Sequence, residues 1–153
     1  MLYSIKMMRK FIFLTIVCFS MLSAFAQDST AFRAYLYNED YKVYLEINFD
    51  KNDIVVPGQE IFGKVPGYFG ALRDSRKWLI TSAYVTSENT AKLAITNDYG
   101  SEDLEATLVR RKDGTYLLHQ ESGSRLKIVV NRKWVKIPTD LVLVRSNPRP
   151  NEW

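Results

Sequence analysis

Asp103 and Glu105 stand two residues apart in the segment Glu102-Asp103-Leu104-Glu105, a spacing that puts both on one face of a strand. Strand rise sets their Cβ atoms about 6–7 Å apart, within the range that paired glycosidase acids use. A hydrolase of cell-envelope or dietary glycan using these two acids is therefore one reading. Against it, Leu104, Ala106 and Leu108 claim the buried face of the same strand, which turns both acids to water.

The remaining reactive types form no constellation. His119 is the only histidine, so no second imidazole joins it in a metal site, and no nucleophile stands beside it. Ser124 sits in Glu121-Ser122-Gly123-Ser124-Arg125, which is not a G-x-S-x-G elbow. Residues 97–103 could offer calcium Asp98, Glu102 and Asp103, but they lack the register of an EF-hand loop. Gly58 to Val65 misses a phosphate-binding loop by one residue, with Val65 where Ser or Thr should stand. Val65-Pro66-Gly67 then favours extended chain and a turn, not the helix such a loop needs. No metal and no cofactor is expected, and the expectation is of a protein that is not an enzyme.

What remains is aromatic. Tyr35, Tyr37 and Tyr44 are placed to share a patch across the first hairpin, and Trp78 and Tyr84 fall on one strand face by period two. Val56-Pro57-Gly58 and Val65-Pro66-Gly67 each read as a type II turn. Between them Ile61 to Val65 would be a short strand, with Gly63 as a bulge and Tyr68-Phe69 as a loop tip beyond. The expected ligand contacts are Tyr68, Phe69, Arg73, Trp78, Tyr84 and Trp134. Aromatic faces with a polar rim suit a small apolar or glycan ligand, or a protein partner.

The elements that must position these residues are strands. Val43, Leu45, Ile47 and Phe49 alternate with Lys42, Tyr44, Glu46 and Asn48. Ala91, Leu93 and Ile95 alternate with Lys92, Ala94 and Thr96, and Leu126, Ile128 and Val130 with Arg125, Lys127 and Val129. Turn signals punctuate them, Asp113-Gly114 being a strong hairpin turn. No window shows a sustained helical period. The pattern predicts an all-β fold: a single antiparallel up-and-down barrel, or barrel-like sandwich, of about eight or nine strands.

Residues 1–26 read as a signal peptide, with Arg9 and Lys10 before the apolar run Phe11 to Leu22 and Ala24-Phe25-Ala26 as cleavage box. That run is shorter than the ~20 residues a permanent membrane anchor needs. Residues 27–145 would then form the barrel and 146–153 an extended tail. Removal of the leader would leave 18 Lys and Arg against 17 Asp and Glu, so the basic pI gives no ground for nucleic-acid binding. Residues 104–153 do keep 10 basic against 5 acidic residues, a bias that could meet an anionic partner. The one cysteine, Cys18, lies in the leader, so the mature chain is expected to be cysteine-free. The cleavage site resembles those of exported proteins in Gram-negative bacteria, which implies a periplasmic or extracellular protein.

The predicted barrel resembles the calycin type, the class of lipocalins and avidins. Thr96-Asn97-Asp98-Tyr99 is similar to a short lipocalin motif, and Arg125 or Arg132 stands for its later arginine. The G-x-W element is absent: Trp78 follows Arg76-Lys77 and Trp134 follows Arg132-Lys133. The resemblance implies a fold and transfers no functional residue. Taken together, these features point to a non-enzymatic binding or inhibitory module that takes a small apolar or glycan ligand in a barrel mouth or a protein by its rim; a pocketless interaction protein is the other non-enzymatic reading.

Overall fold

The computed structural model describes residues 30–151. The leader assigned to residues 1–26 lies outside them. The expectation of a cysteine-free mature chain does not stand: the chain carries Cys18, and that expectation depended entirely on loss of the segment holding it.

The strands are β1 (Arg33–Asn38), β2 (Val43–Asn48), β3 (Ile54–Val55), β4 (Lys64–Val65), β5 (Gly67–Ala71), β6 (Asp74–Ser87), β7 (Thr90–Asn97), β8 (Asp103–Arg110), β9 (Tyr116–Gly123), β10 (Lys127–Val130), β11 (Lys133–Lys136) and β12 (Asp140–Arg145). Eight of them close one antiparallel barrel in the order β1-β12-β9-β8-β7-β6-β5-β2. Each barrel strand pairs with the next barrel strand along the chain, and β12 returns to β1, so the all-β up-and-down barrel is as expected. Two short hairpins interrupt the meander. β3 and β4 form a flap between β2 and β5, and β10 and β11 form a second hairpin between β9 and β12.

The alternation read in the sequence selects the inward face. Val43, Leu45 and Ile47, then Ala91, Leu93 and Ile95, then Leu104, Ala106 and Leu108, all join one buried cluster with Leu36, Phe69 and Leu118. Full burial of each Leu or Ile stabilises the fold by about 1.5–3 kcal/mol. A second buried cluster lies outside the barrel wall. There Tyr37, Tyr44, Tyr68 and Leu79 of the wall pack against Val56 and Val65 of the flap.

Three expectations fail for identifiable reasons. Trp78 and Tyr84 do not share a face, because the β6–β7 register shifts between Ile80 and Ser82. One extra residue reverses the alternation, so Ala83 packs on the core while Tyr84 stands 73% exposed. Tyr68-Phe69 is no loop tip either. Pro66-Gly67 leads directly into β5, where Phe69 faces the core and Tyr68 the outer wall. The segment before it is not a strand from Ile61: Glu60–Phe62 is a single 3-10 turn, and only Lys64 and Val65 pair with Val55 and Ile54. The turn at Pro57-Gly58 forms as read. Gln59 N–H donates to the Val56 carbonyl at 3.0 Å with Gly58 at φ 76°, the conformation that needs glycine.

The barrel closes where its ends meet. β1 and β12 pair through Leu36 with Arg145 and Tyr37 with Val144. Arg145 continues the join beyond the ladder. Its guanidinium donates to the carbonyls of Thr30 at 2.7 Å, Ala31 at 3.2 Å and Arg33 at 3.3 Å, and to the Tyr116 hydroxyl at 2.9 Å. The β10–β11 hairpin is held by buried polar groups. Gln120 accepts from Leu126 N–H at 2.8 Å and donates to the Pro138 carbonyl at 2.9 Å, while Asp74 accepts from Val129 N–H at 2.7 Å. Trp78 Nε1 donates to the Lys127 carbonyl at 3.2 Å.

Candidate functional site

Strand register lays two rows of outward side chains across β1, β2, β5 and β6. In one, Tyr37 stands opposite Tyr44, and Tyr44 opposite Gly70. Lys77 continues that row on β6, one residue before Trp78, which pairs with Phe69. In the other row Tyr35 faces Glu46, Glu46 faces Tyr68, and Tyr68 faces Leu79. Gly70 is what lets the first row lie flat. A Cβ there would stand 2.6 Å from both Cζ and Oη of Tyr44, so the tyrosine ring occupies the space a side chain would take.

The aromatic rings brace one another. Tyr35 stacks on Tyr44 with centroids 5.2 Å apart, and Tyr68 meets Tyr44 edge-on at 5.8 Å. The Tyr68 hydroxyl donates to Glu46 at 2.9 Å. Burial, with Tyr35 and Glu46 nearby, pushes the Tyr44 phenol up to about 12. Burial raises Tyr68 as well, reinforced by Tyr44 and Glu46. Lys77 is buried at 3% exposure with Nζ 6.0 Å from the Tyr44 ring centroid. Desolvation lowers its pKa from the ordinary 10.5, opposed by the carboxylates of Asp74 and Asp98.

Around this floor the chain builds walls. The flap leans over it, and Gln59 Nε2 reaches Asp98 of the β7–β8 loop at 3.5 Å. The residues after β12 supply the other side. Arg149 lies 4.0 Å from the Tyr37 ring centroid and pairs with Glu39 at 3.3 Å. The result is a cleft of about 630 Å³ on the outer wall of the barrel, lined by Tyr44, Tyr68, Lys77, Asp98, Tyr99 and Arg149 among others. Arg76 also lines it and reaches beyond: it pairs with Asp74 at 3.0 Å and lies 5.2 Å from the ring centroid of Trp134. Lys127, paired with Glu102 at 2.8 Å, lies 4.9 Å from the same ring.

Of the six expected contacts, Tyr68 lines the cleft and Trp134 stands beside it through Arg76. Phe69 and Trp78 are core residues, Arg73 sits on the exposed β5–β6 turn, and Tyr84 is far along β6. Sequence reading missed Lys77, Arg149 and the flap residues Pro57 to Gln59. The Tyr35, Tyr37 and Tyr44 patch was readable, since the β1–β2 register brings these residues together.

Asp103 and Glu105 lie exposed on the outer wall of β8, along a shallow groove with Thr81 and Ser122. Glu105 accepts from the Ser122 hydroxyl at 3.4 Å. His119 is paired with Asp140 at 2.5 Å across β9 and β12, half exposed. Thr107 stands opposite His119, yet its hydroxyl donates to Glu121. Asn97, in the segment similar to the lipocalin motif, knots the β7–β8 loop by accepting from Ser101 N–H at 2.9 Å and Glu102 N–H at 3.3 Å. Among the described residues no group of three or more His, Cys, Asp or Glu is placed to hold a metal. Nor is any helix among them long and apolar enough to cross a membrane.

No protein-family model, curated protein or solved structure matches the chain. The closed eight-stranded antiparallel barrel is consistent with a calycin-type fold, and it is compatible with a module that binds a ligand or a protein.

Proposed function

We propose that the protein is an exported, periplasmic or extracellular, non-enzymatic binding module whose ligand occupies the wall cleft. The supporting observation is the combination in one 630 Å³ cleft of Tyr44, Tyr68 and Tyr99 with Arg76 and Arg149. That volume falls in the range of small-molecule sites, about 300–1,000 Å³. Arg76 and Arg149, the exposed cations of the lining, favour a polar ligand carrying an anionic group, and the exposed Tyr99 ring suits a sugar face. A small acidic glycan fits this chemistry better than an apolar molecule, and the site lies on the wall, not in the barrel mouth.

The test is native mass spectrometry of protein purified from its host, followed by titration of an acidic and a neutral oligosaccharide into wild type, Arg76→Gln and Arg149→Gln. The expected result is a retained or titrated acidic glycan whose affinity drops at least about tenfold in either variant. Equal affinity for both oligosaccharides in all three proteins would overturn the reading. Turnover of the oligosaccharide that Glu105→Gln abolishes would replace it with the hydrolase.

A further inference from the structure

An apolar flap tip and a cationic hairpin adjoin the cleft as parts of its rim, and the cleft ligand accounts for neither. At the flap tip Ile61 is 92% exposed and Phe62 is half exposed beside it. Glu60, the one acid there, is turned back to accept from Gly58 N–H at 3.0 Å. On the β10–β11 hairpin, which meets the cleft through Arg76, Trp134 is 58% exposed. Residues 125–136 hold Arg125, Lys127, Arg132, Lys133 and Lys136 and no Asp or Glu. Lys127 and Lys136 stand directly opposite each other in the ladder, a like-charge pairing that costs stability. Lys127 has Glu102; Arg125, Arg132, Lys133 and Lys136 have no ion pair among the described residues. Each feature adjoins the cleft: Pro57 to Gln59 of the flap line it, and Arg76, which also lines it, lies over Trp134.

From this we infer that the rim docks on an anionic lipid surface, with Ile61, Phe62 and Trp134 entering the headgroup layer and the hairpin cations meeting its charge. A lipid surface is the partner that uses both features, since peripheral binding combines buried apolar area with attraction to anionic headgroups. A single-stranded nucleic acid would use a free aromatic face for stacking, and Arg76 and Lys127 already lie over Trp134; a duplex would meet the cations alone and leave Ile61 and Phe62 unused. A soluble acidic polymer would leave Ile61 and Phe62 without a role. This inference is independent of what the cleft holds.

The experiment uses the chain from Gln27 on, which keeps the whole closed barrel and its core, with Trp153 replaced by Phe. Vesicles of phosphatidylcholine with one third phosphatidylglycerol are compared with pure phosphatidylcholine by co-sedimentation and tryptophan emission. The expected result is binding to the anionic vesicles, weakened by salt, with a blue shift that Trp134→Phe removes and that buried Trp78 cannot supply. Arg132→Gln with Lys133→Gln should weaken partitioning about 30-fold, and Ile61→Ser with Phe62→Ser about tenfold or more. All four positions are exposed, and circular dichroism checks that each variant stays folded. Equal binding to both vesicles, or binding that neither double variant reduces, overturns the inference. So does capture of heparin or duplex DNA at concentrations where no vesicle is bound, which would assign the rim to a soluble polyanion.

Discussion

Gly70→Ala tests whether the cleft floor is built as described. The new methyl would sit 2.6 Å from Cζ and Oη of Tyr44, where carbon atoms rest about 3.5–4 Å apart. The ring must retreat by about 1 Å, yet it is buried, stacked on Tyr35 and met edge-on by Tyr68. Such overpacking costs about 1–3 kcal/mol. Gly70 does not lie in the left-handed region, so alanine is otherwise acceptable there and should stabilise by about 0.4–1 kcal/mol through the unfolded chain. Placing Gly70→Ala in a Tyr44→Ala background removes the clash and exposes that gain. The predicted coupling between the two sites is therefore the clash itself, about 1–3 kcal/mol. Urea unfolding of wild type, both single variants and the double variant, followed by circular dichroism, measures it directly. A penalty for Gly70→Ala that is the same with and without Tyr44, within about 0.5 kcal/mol, would refute the idea that this glycine exists to seat that ring.

Lys77→Met should raise stability by about 1 kcal/mol at pH 7, since it removes a desolvated charge only partly compensated by Asp74 and Asp98. Because the folded-state pKa of Lys77 lies below 10.5, wild type gains stability as pH rises through that window, and the advantage of the methionine should shrink in parallel; urea midpoints at pH 7 and pH 10 check both. Tyr44 acts with the opposite sign: its phenol titrates near 12 when folded and 10.0 when unfolded. Stability should fall between those values by about 2–3 kcal/mol, a loss that Tyr44→Phe removes in unfolding curves across pH 10 to 12. Gln120→Ala should cost about 2 kcal/mol by leaving Leu126 N–H and the Pro138 carbonyl without their buried partner. Hydrogen exchange should then quicken first in the β10–β11 hairpin.

The barrel was legible because half-buried strands write their orientation at period two, and β2, β7 and β8 keep that period without interruption. Where a bulge intervenes the code breaks: nothing in Ile80-Thr81-Ser82-Ala83-Tyr84 announces the extra residue that turns Tyr84 outward. The cleft was legible only in its β1–β2 part, where one tight turn fixes which residues face each other. Its completion depends on β5 and β6, whose register against β2 is set across the long flap insertion. Arg76 and Lys77 are adjacent and alike in type, yet one stands at the surface and the other is almost wholly buried. That difference belongs to strand phase and to the flap that covers the outer wall. Phe69 reads as a loop-tip residue because Pro66-Gly67 reads as a turn; here Gly67 lies within a barrel strand, with its Cα face pressed to the Glu46 carbonyl.

The join made by Arg145 has a mechanical consequence. β1 begins and β12 ends on the same side of the barrel, so tension applied through the two chain ends would peel these strands apart one hydrogen bond at a time, without loading the ladder in shear. The Ser146 N–H, bonded to the Tyr35 carbonyl at 3.0 Å, is the outer tooth of that zipper, and the guanidinium fastened to Thr30, Ala31, Arg33 and Tyr116 reinforces the next. Under pulling the segment that carries Arg149 comes away from Tyr37 and Glu39 first, so the cleft would open before the barrel seam at Arg145 gives.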